Sequence, residues 1–146
     1  MKMLIDADGC PVVDISIKVA KMFNIDVTLI CDTSHSINKE GANTILMPKG
    51  KDSVDFELVN RVEKGDIVVT QDYGLATMVL AKMGNAINQN GLIYNNDNID
   101  QLLLSRHISS KIRNSRGRVK GPKKRQREDD IKFEQNLINL CKTLIK

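Results

Sequence analysis

Short, wholly apolar runs that alternate with segments of helical period constrain this chain more than any other feature it has. The runs are Met3 to Ile5, Asp26 to Cys31 (DVTLIC), Asn43 to Met47 (NTILM) and Ile67 to Thr70. Aliphatic and β-branched residues dominate them, and turn-forming Gly, Asp or Asn residues lie beside them. Between them Val12, Ile15, Val19 and Met22 recur at helical spacing, as do Val54, Leu58, Val59 and Val62, and then Leu75, Met78, Val79 and Ala81. Each set predicts a helix with one apolar face. Pro11 suits the first turn of the first helix, Asn24 closes it, and Gly65 ends the second. Strands without polar alternate positions are buried on both faces. The alternation therefore predicts an α/β fold, a mainly parallel central sheet flanked by helices in three layers and joined by right-handed crossovers.

The remainder divides into three. Asn90 to Tyr94 reads as a small final strand or hairpin arm, followed by a helix from near Asn98 through Leu102 to Ile112. Residues 113–127 hold Gly117, Gly121 and Pro122 among many bases and read as a basic, mobile segment. Residues 128–146 carry Ile131, Phe133, Leu137, Ile138, Leu140, Cys141 and Leu144 at helical spacing behind Glu128, Asp129 and Asp130, acids well placed for a helix N-terminus. This predicts one α/β domain over 1–112, with the closing helix packed back onto it. A chain of 146 residues with 41% hydrophobic residues can bury a core of its own. With aromatics at 3%, Ile, Leu, Val and Met must build that core.

The net charge of +4 is unevenly spread. Residues 1–104 hold nine Lys/Arg against fourteen Asp/Glu, a balance of −5, whereas residues 105–127 hold ten bases and no acid. The last nineteen residues return to −1. Such a local block of positive charge suits phosphate contacts, the plain alternative being a solvated tail. Cys10, Cys31 and Cys141 form no CxxC pair, which argues against a zinc site or disulfide framework and for reduced thiols. The N-terminal region has no apolar run long enough for a signal peptide or a membrane span, so a cytoplasmic location without a membrane partner is expected.

In a parallel sheet the functional crevice lies beyond the carboxyl ends of the strands. By that rule Asp6 and Asp72, which follow strands, reach the crevice, and Asp52 and Asp55 open a helix that follows one. Asp8 sits beside them, while Asp26 and Asp66 precede strands and belong to the opposite edge. Carboxylates from separate elements are hard oxygen ligands for Mg²⁺ or Mn²⁺. Each acid also has a plainer role: Asp52 and Asp72 can be helix N-caps, and Asp8 can be a turn residue before Gly9. Asp6 is hardest to dismiss, because an acid ending a buried strand needs a partner.

Three stretches, Asp6-Ala7-Asp8-Gly9-Cys10-Pro11-Val12, Gly50-Lys51-Asp52-Ser53-Val54-Asp55 and Gly65-Asp66-Ile67-Val68-Val69-Thr70-Gln71-Asp72-Tyr73-Gly74-Leu75-Ala76, resemble the signatures of the YaiI/YqxD family of bacterial proteins. The resemblance continues through Asn98-Ile99-Asp100 and Gly121-Pro122-Lys123-Lys124-Arg125, so it spans nearly the whole chain. It implies a PIN-like fold, a group that includes metal-dependent ribonucleases. Carried over by position, Asp6 matches the first-strand acid, Asp55 the helix acid and Asp72 the later-strand acid. Asp55 is one methylene shorter than the usual Glu, and Asp8 and Asp52 are additional.

Three functions compete. The first is a divalent-metal-dependent nuclease, RNA favoured, with Asp6, Asp55 and Asp72 catalytic and Asp6, Asp8, Asp52, Asp55 and Asp72 holding Mg²⁺ or Mn²⁺. Its strand would be gripped by Arg113, Arg116, Arg118, Lys120, Lys123, Lys124 and Arg125. The second is a non-catalytic nucleic-acid-binding protein on the same scaffold. The third is a haloacid-dehalogenase-like phosphatase suggested by Asp6-Ala7-Asp8; Asp66, preceding its strand, speaks against it. No aromatics stand in the basic block to stack bases. His35, Lys49, Lys51, Gln71 and Tyr73 are weaker signals, each as readily a surface or packing residue.

Overall fold

In a computed structural model the chain is a five-stranded, wholly parallel sheet between two layers of helices. The described residues are 1–32, 37–50, 53–116 and 124–145, with the side chains of 106 and 109–116 left aside. The elements in chain order are β1 (Lys2–Asp6), α1 (Val13–Met22), β2 (Asp26–Asp32), β3 (Asn43–Met47), α2 (Ser53–Arg61), β4 (Ile67–Val69), α3 (Tyr73–Ala81), β5 (Asn85–Ile87), α4 (Asn96–Arg116) and α5 (Arg127–Ile145).

The sheet runs β3-β2-β1-β4-β5. The chain winds outward from β1 through β2 to β3, then returns to the other side of β1 for β4 and β5. The winding therefore reverses between β1 and β4, and a parallel sheet opens a crevice at such a switch point. β1 is central, and Met3, Leu4 and Ile5 are fully buried on both of its faces.

Alternation along the strands sorts the core into two halves. Met3, Ile5, Val27, Leu29, Cys31, Ile67, Val69 and Ile87 face one way and pack with Val13, Val19 and Ala20 of α1 and Phe133, Leu137, Leu140 and Cys141 of α5. Leu4, Ile30, Val68 and Ala86 face the other way, against Leu58 of α2, Leu75, Ala76 and Val79 of α3 and Ile99 of α4. The closing helix thus belongs to the main core.

Several elements differ from the expectation. The fifth strand is Asn85–Ile87, and Asn90 to Tyr94 contributes only an antiparallel bridge between Ile93 and Ile87. Pro11 lies in the turn before α1, which begins at Val13. The buried face of α1 includes Val13, Ser16, Val19 and Ala20, leaving Met22 exposed. α1 and α5 pack together over the same face of the sheet. Asn24 ends α1 as expected, with a left-handed φ of 56°. α4 continues past Ile112 to Arg116.

Candidate active site at the carboxyl edge of the sheet

Asp6 is the last residue of β1 and lies partly buried at the switch point. Thr70, buried and one residue beyond β4, joins it to the next loop. The Thr70 hydroxyl donates to Asp6 Oδ2 at 3.0 Å and accepts the backbone N–H of Asp72 at 3.0 Å. Asp72 is the N-cap of α3: its Oδ1 accepts from the N–H groups of Gly74 at 2.8 Å and Leu75 at 3.2 Å. Capping and site placement thus coexist, because the cap occupies one oxygen. Among the described residues, Asp6 Oδ1 and Asp72 Oδ2 accept no hydrogen bond.

Burial pushes the Asp6 carboxyl up, the Thr70 hydrogen bond pulls it back, and the negative charges of Asp8 and Asp72 add to the rise, leaving it at about 6 against an ordinary 3.8. The structure therefore brings Asp8 and Asp72 within electrostatic reach of Asp6. Asp8 is tied to the end of β2, its oxygens accepting the Asp32 N–H at 3.2 and 3.3 Å. Asp55 stands in the first turn of α2, a helix that opens at the same edge. Asp66 lies at the far end of the sheet, where its carboxylate accepts the backbone N–H of Lys2 at 3.0 Å and pairs with Lys2 Nζ at 2.6 Å.

The surrounding loops are braced against one another. Gln71 Nε2 donates to the Gly9 carbonyl at 3.2 Å, in a turn where Gly9 has φ +67°. Tyr94 donates its hydroxyl to the Thr70 carbonyl at 3.2 Å and meets the Tyr73 ring edge-on at 6.2 Å. Burial raises the Tyr94 phenol far above its ordinary range. Cys10, beside this edge, is also raised by burial, so its thiol stays protonated, and all three cysteines are free.

The predicted basic residues are placed unevenly. Arg125 is committed within the protein: Nε donates to Asp130 Oδ1 at 2.8 Å, Nη1 to Asn90 Oδ1 at 2.8 Å and Nη2 to the Gln89 carbonyl at 2.7 Å. It bolts the start of α5 to the loop after β5. Lys124 is exposed. The side chains of Arg113 and Arg116, and the residues Asp52, Arg118, Lys120, Lys123, His35 and Lys51, lie outside the described set.

Asp6 and Asp72 offer oxygen chemistry that suits a hard divalent cation. Among the described residues no group of three or more His, Cys, Asp or Glu closes into a ligand set. Mg²⁺ is commonly bound by one or two carboxylates, with water and substrate phosphate completing its shell, so a pair of carboxylates fits such an ion. No helix among the described residues is long and apolar enough to cross a membrane.

Sequence reading missed Thr70, Asp32 and Tyr94. Asp32 was within reach, since it ends β2 and obeys the same strand-end rule as Asp6. Thr70 and Tyr94 carry no local signal, because their partners are distant in the chain.

The fold and this edge define a three-layer, PIN-like α/β domain with Asp6 and Asp72 at the switch point of its sheet. The chain belongs to the YaiI/YqxD family, whose profile, described as "Uncharacterized BCR, YaiI/YqxD family", matches residues 4–143. Among similar proteins, a UPF0178 protein of Exiguobacterium sibiricum is 54% identical over 140 residues, covering 96% of both chains. UPF0178 proteins of Ruminiclostridium cellulolyticum and Clostridium acetobutylicum are each 50% identical, covering 97% and 92% of this chain and 93% and 92% of their own. No solved structure matches.

Proposed function

We propose that this protein is a divalent-cation-dependent nuclease that hydrolyses phosphodiesters in single-stranded nucleic acid, RNA favoured. The observation that carries this reading is the pair Asp6 and Asp72, joined through the Thr70 hydroxyl at the switch point, each with one carboxylate oxygen uncommitted among the described residues. Asp6 and Asp72 would hold Mg²⁺ or Mn²⁺, with Asp8, Asp52 and Asp55 in support. The bound cation supplies charge neutralisation at the phosphate and a more acidic water. Thr70 fixes the Asp6 rotamer and the Asp72 backbone together, so that neither carboxylate must be reordered when substrate arrives. Asp6, held at about 6, is substantially protonated in weak acid and available as a ligand above neutrality, so activity rises with pH through that region. The excess of bases over residues 105–127 supplies sequence-independent attraction to the strand.

The test is cleavage of an end-labelled single-stranded RNA by the full chain with Mn²⁺ or EDTA. Cleavage that requires Mn²⁺ and disappears in Asp6→Asn and Asp72→Asn, with binding retained, supports the reading. The second reading, a non-catalytic nucleic-acid-binding protein, draws on the lack of a closed ligand set among the described residues. It predicts equal RNA binding with and without Mn²⁺, no cleavage, and no change in either aspartate variant.

A further inference from the structure

A concave surface lies between the loop after β5 and α5. This groove, of about 630 Å³, is lined by Asn88, Asn90, Gly91, Leu92, Ile93, Lys132, Asn136 and Asn139, a size within the range of small-ligand sites. Among the described residues that line it, four of eight are asparagines and the one charged residue is a lysine.

Three of the amides are oriented by the protein. Asn88 Oδ1 accepts the N–H groups of Asn90 and Leu92, both at 2.9 Å, which leaves its Nδ2 as a donor. Asn90 Oδ1 accepts Arg125 Nη1 at 2.8 Å, again leaving the NH₂ group. Asn136 Nδ2 donates to the Gly91 carbonyl at 2.8 Å and leaves Oδ1 as an acceptor. Gly91 makes this close approach possible: at φ +89°, a Cβ there would stand 2.9 Å from Asn136 Nδ2 and from the Lys132 carbonyl. Each amide thus has one half spent on the scaffold and the other half held in a fixed polarity, so little ordering cost remains for a ligand that matches them.

The groove is also coupled to the acidic crevice. Thr70, which bridges Asp6 and Asp72, donates its N–H to the Ile87 carbonyl at 3.0 Å and accepts the Tyr94 hydroxyl on its own carbonyl at 3.2 Å. Both ends of the groove loop are therefore anchored on the residue that organises the acids.

We infer that this groove is a nucleotide subsite, in which Asn88, Asn90, Asn136 and Asn139 read the hydrogen-bonding edge of an unpaired base and Lys132 meets a phosphate of the same strand. The substrate class follows from the chemistry. Amide pairs of fixed polarity match the mixed donors and acceptors of a base edge, a splayed single strand exposes such edges, and the one cation suits a phosphate. Among the described residues no aromatic lines the groove, so recognition is by hydrogen bonding and differs among the four bases. This subsite rests on the nuclease reading for its place beside the acids, but it binds without any cation.

The experiment is an amide NMR titration of the full chain in EDTA with each nucleoside 5′-monophosphate, with ribose 5-phosphate and inorganic phosphate as controls. The expected result is shifts confined to residues 88–93 and 132–139, with at least one nucleotide bound more tightly than the rest. Lys132→Ala and Asn139→Ala, two exposed positions, each weaken that binding about five- to tenfold, as loss of one hydrogen bond or ion pair implies. Shifts elsewhere, equal shifts with ribose 5-phosphate or phosphate, or unchanged affinity in the double variant overturn the subsite. Groove binding that persists while RNA cleavage is never seen sinks the nuclease reading and keeps the subsite; metal-dependent cleavage with KM unmoved by the double variant does the reverse.

Discussion

The folded chain holds Asp6 where burial penalises its charged form and lifts its ionisation to about 6, whereas in the unfolded chain the same group ionises near 3.8. Between pH 3.8 and about 6 the native state binds the extra proton, so stability falls as pH rises through that window and levels off above it. Asp6→Asn removes this cost. The variant is expected to be more stable than the wild type by up to about 3 kcal/mol at pH 7.5, with the gain vanishing below pH 3.8; paired urea melts at the two pH values read it directly. A residue that weakens its own fold when charged is placed for something other than packing. Asp6 and Asp72 were legible in sequence because each follows an apolar run, and position alone puts such acids at the crevice. The Thr70 hydroxyl was not, since its Asp6 partner lies sixty-four positions away.

The elements around the site are pinned from the opposite edge. Asp66, just before β4, accepts three donors: the Lys2 backbone N–H, Lys2 Nζ and, at 2.8 Å, the Glu63 N–H. Burial alone would raise this carboxyl, but those hydrogen bonds outweigh it and hold it below its ordinary value. Its contribution is therefore complete above pH 3.8 and is lost as pH falls through the depressed value. Asp66→Ala is expected to cost about 3 kcal/mol at neutral pH, and less in strong acid, by chemical denaturation. Four of the five strands could be read from their apolar runs. β5 escaped because Asn85–Ile87 is three residues opening on a polar one, and its place is set by pairing with β4 rather than by composition. The face of α1 escaped for a similar reason: its periodicity is clear, but part of what covers it is α5, which packs against it from more than a hundred residues later in the chain. Arg125 likewise read as one base among many, yet its partners Gln89, Asn90 and Asp130 make it a bolt.

Across the whole molecule, the acids at the switch point share the chain with a run of ten bases and no acid over residues 105–127. If that block supplies phosphate contacts, RNA affinity falls steeply with salt, each contact adding about −0.7 to the slope of log K against log salt. Replacing Arg118, Lys120, Lys123 and Lys124 with Ala should make the slope shallower by about 3, measured by fluorescence anisotropy of a labelled RNA, and leave thermal stability unchanged. The fold could be inferred because alternating apolar strands and amphipathic helices admit few architectures. The site could be inferred only in part, because strand ends give its location whereas its hydrogen bonds depend on the closed structure. The most direct measurement is paramagnetic broadening of backbone amides during titration with Mn²⁺. Broadening centred on Asp6, Ala7 and Thr70 to Asp72, abolished in Asp6→Asn, is the predicted result; unbroadened resonances at this edge in millimolar Mn²⁺ would contradict the account.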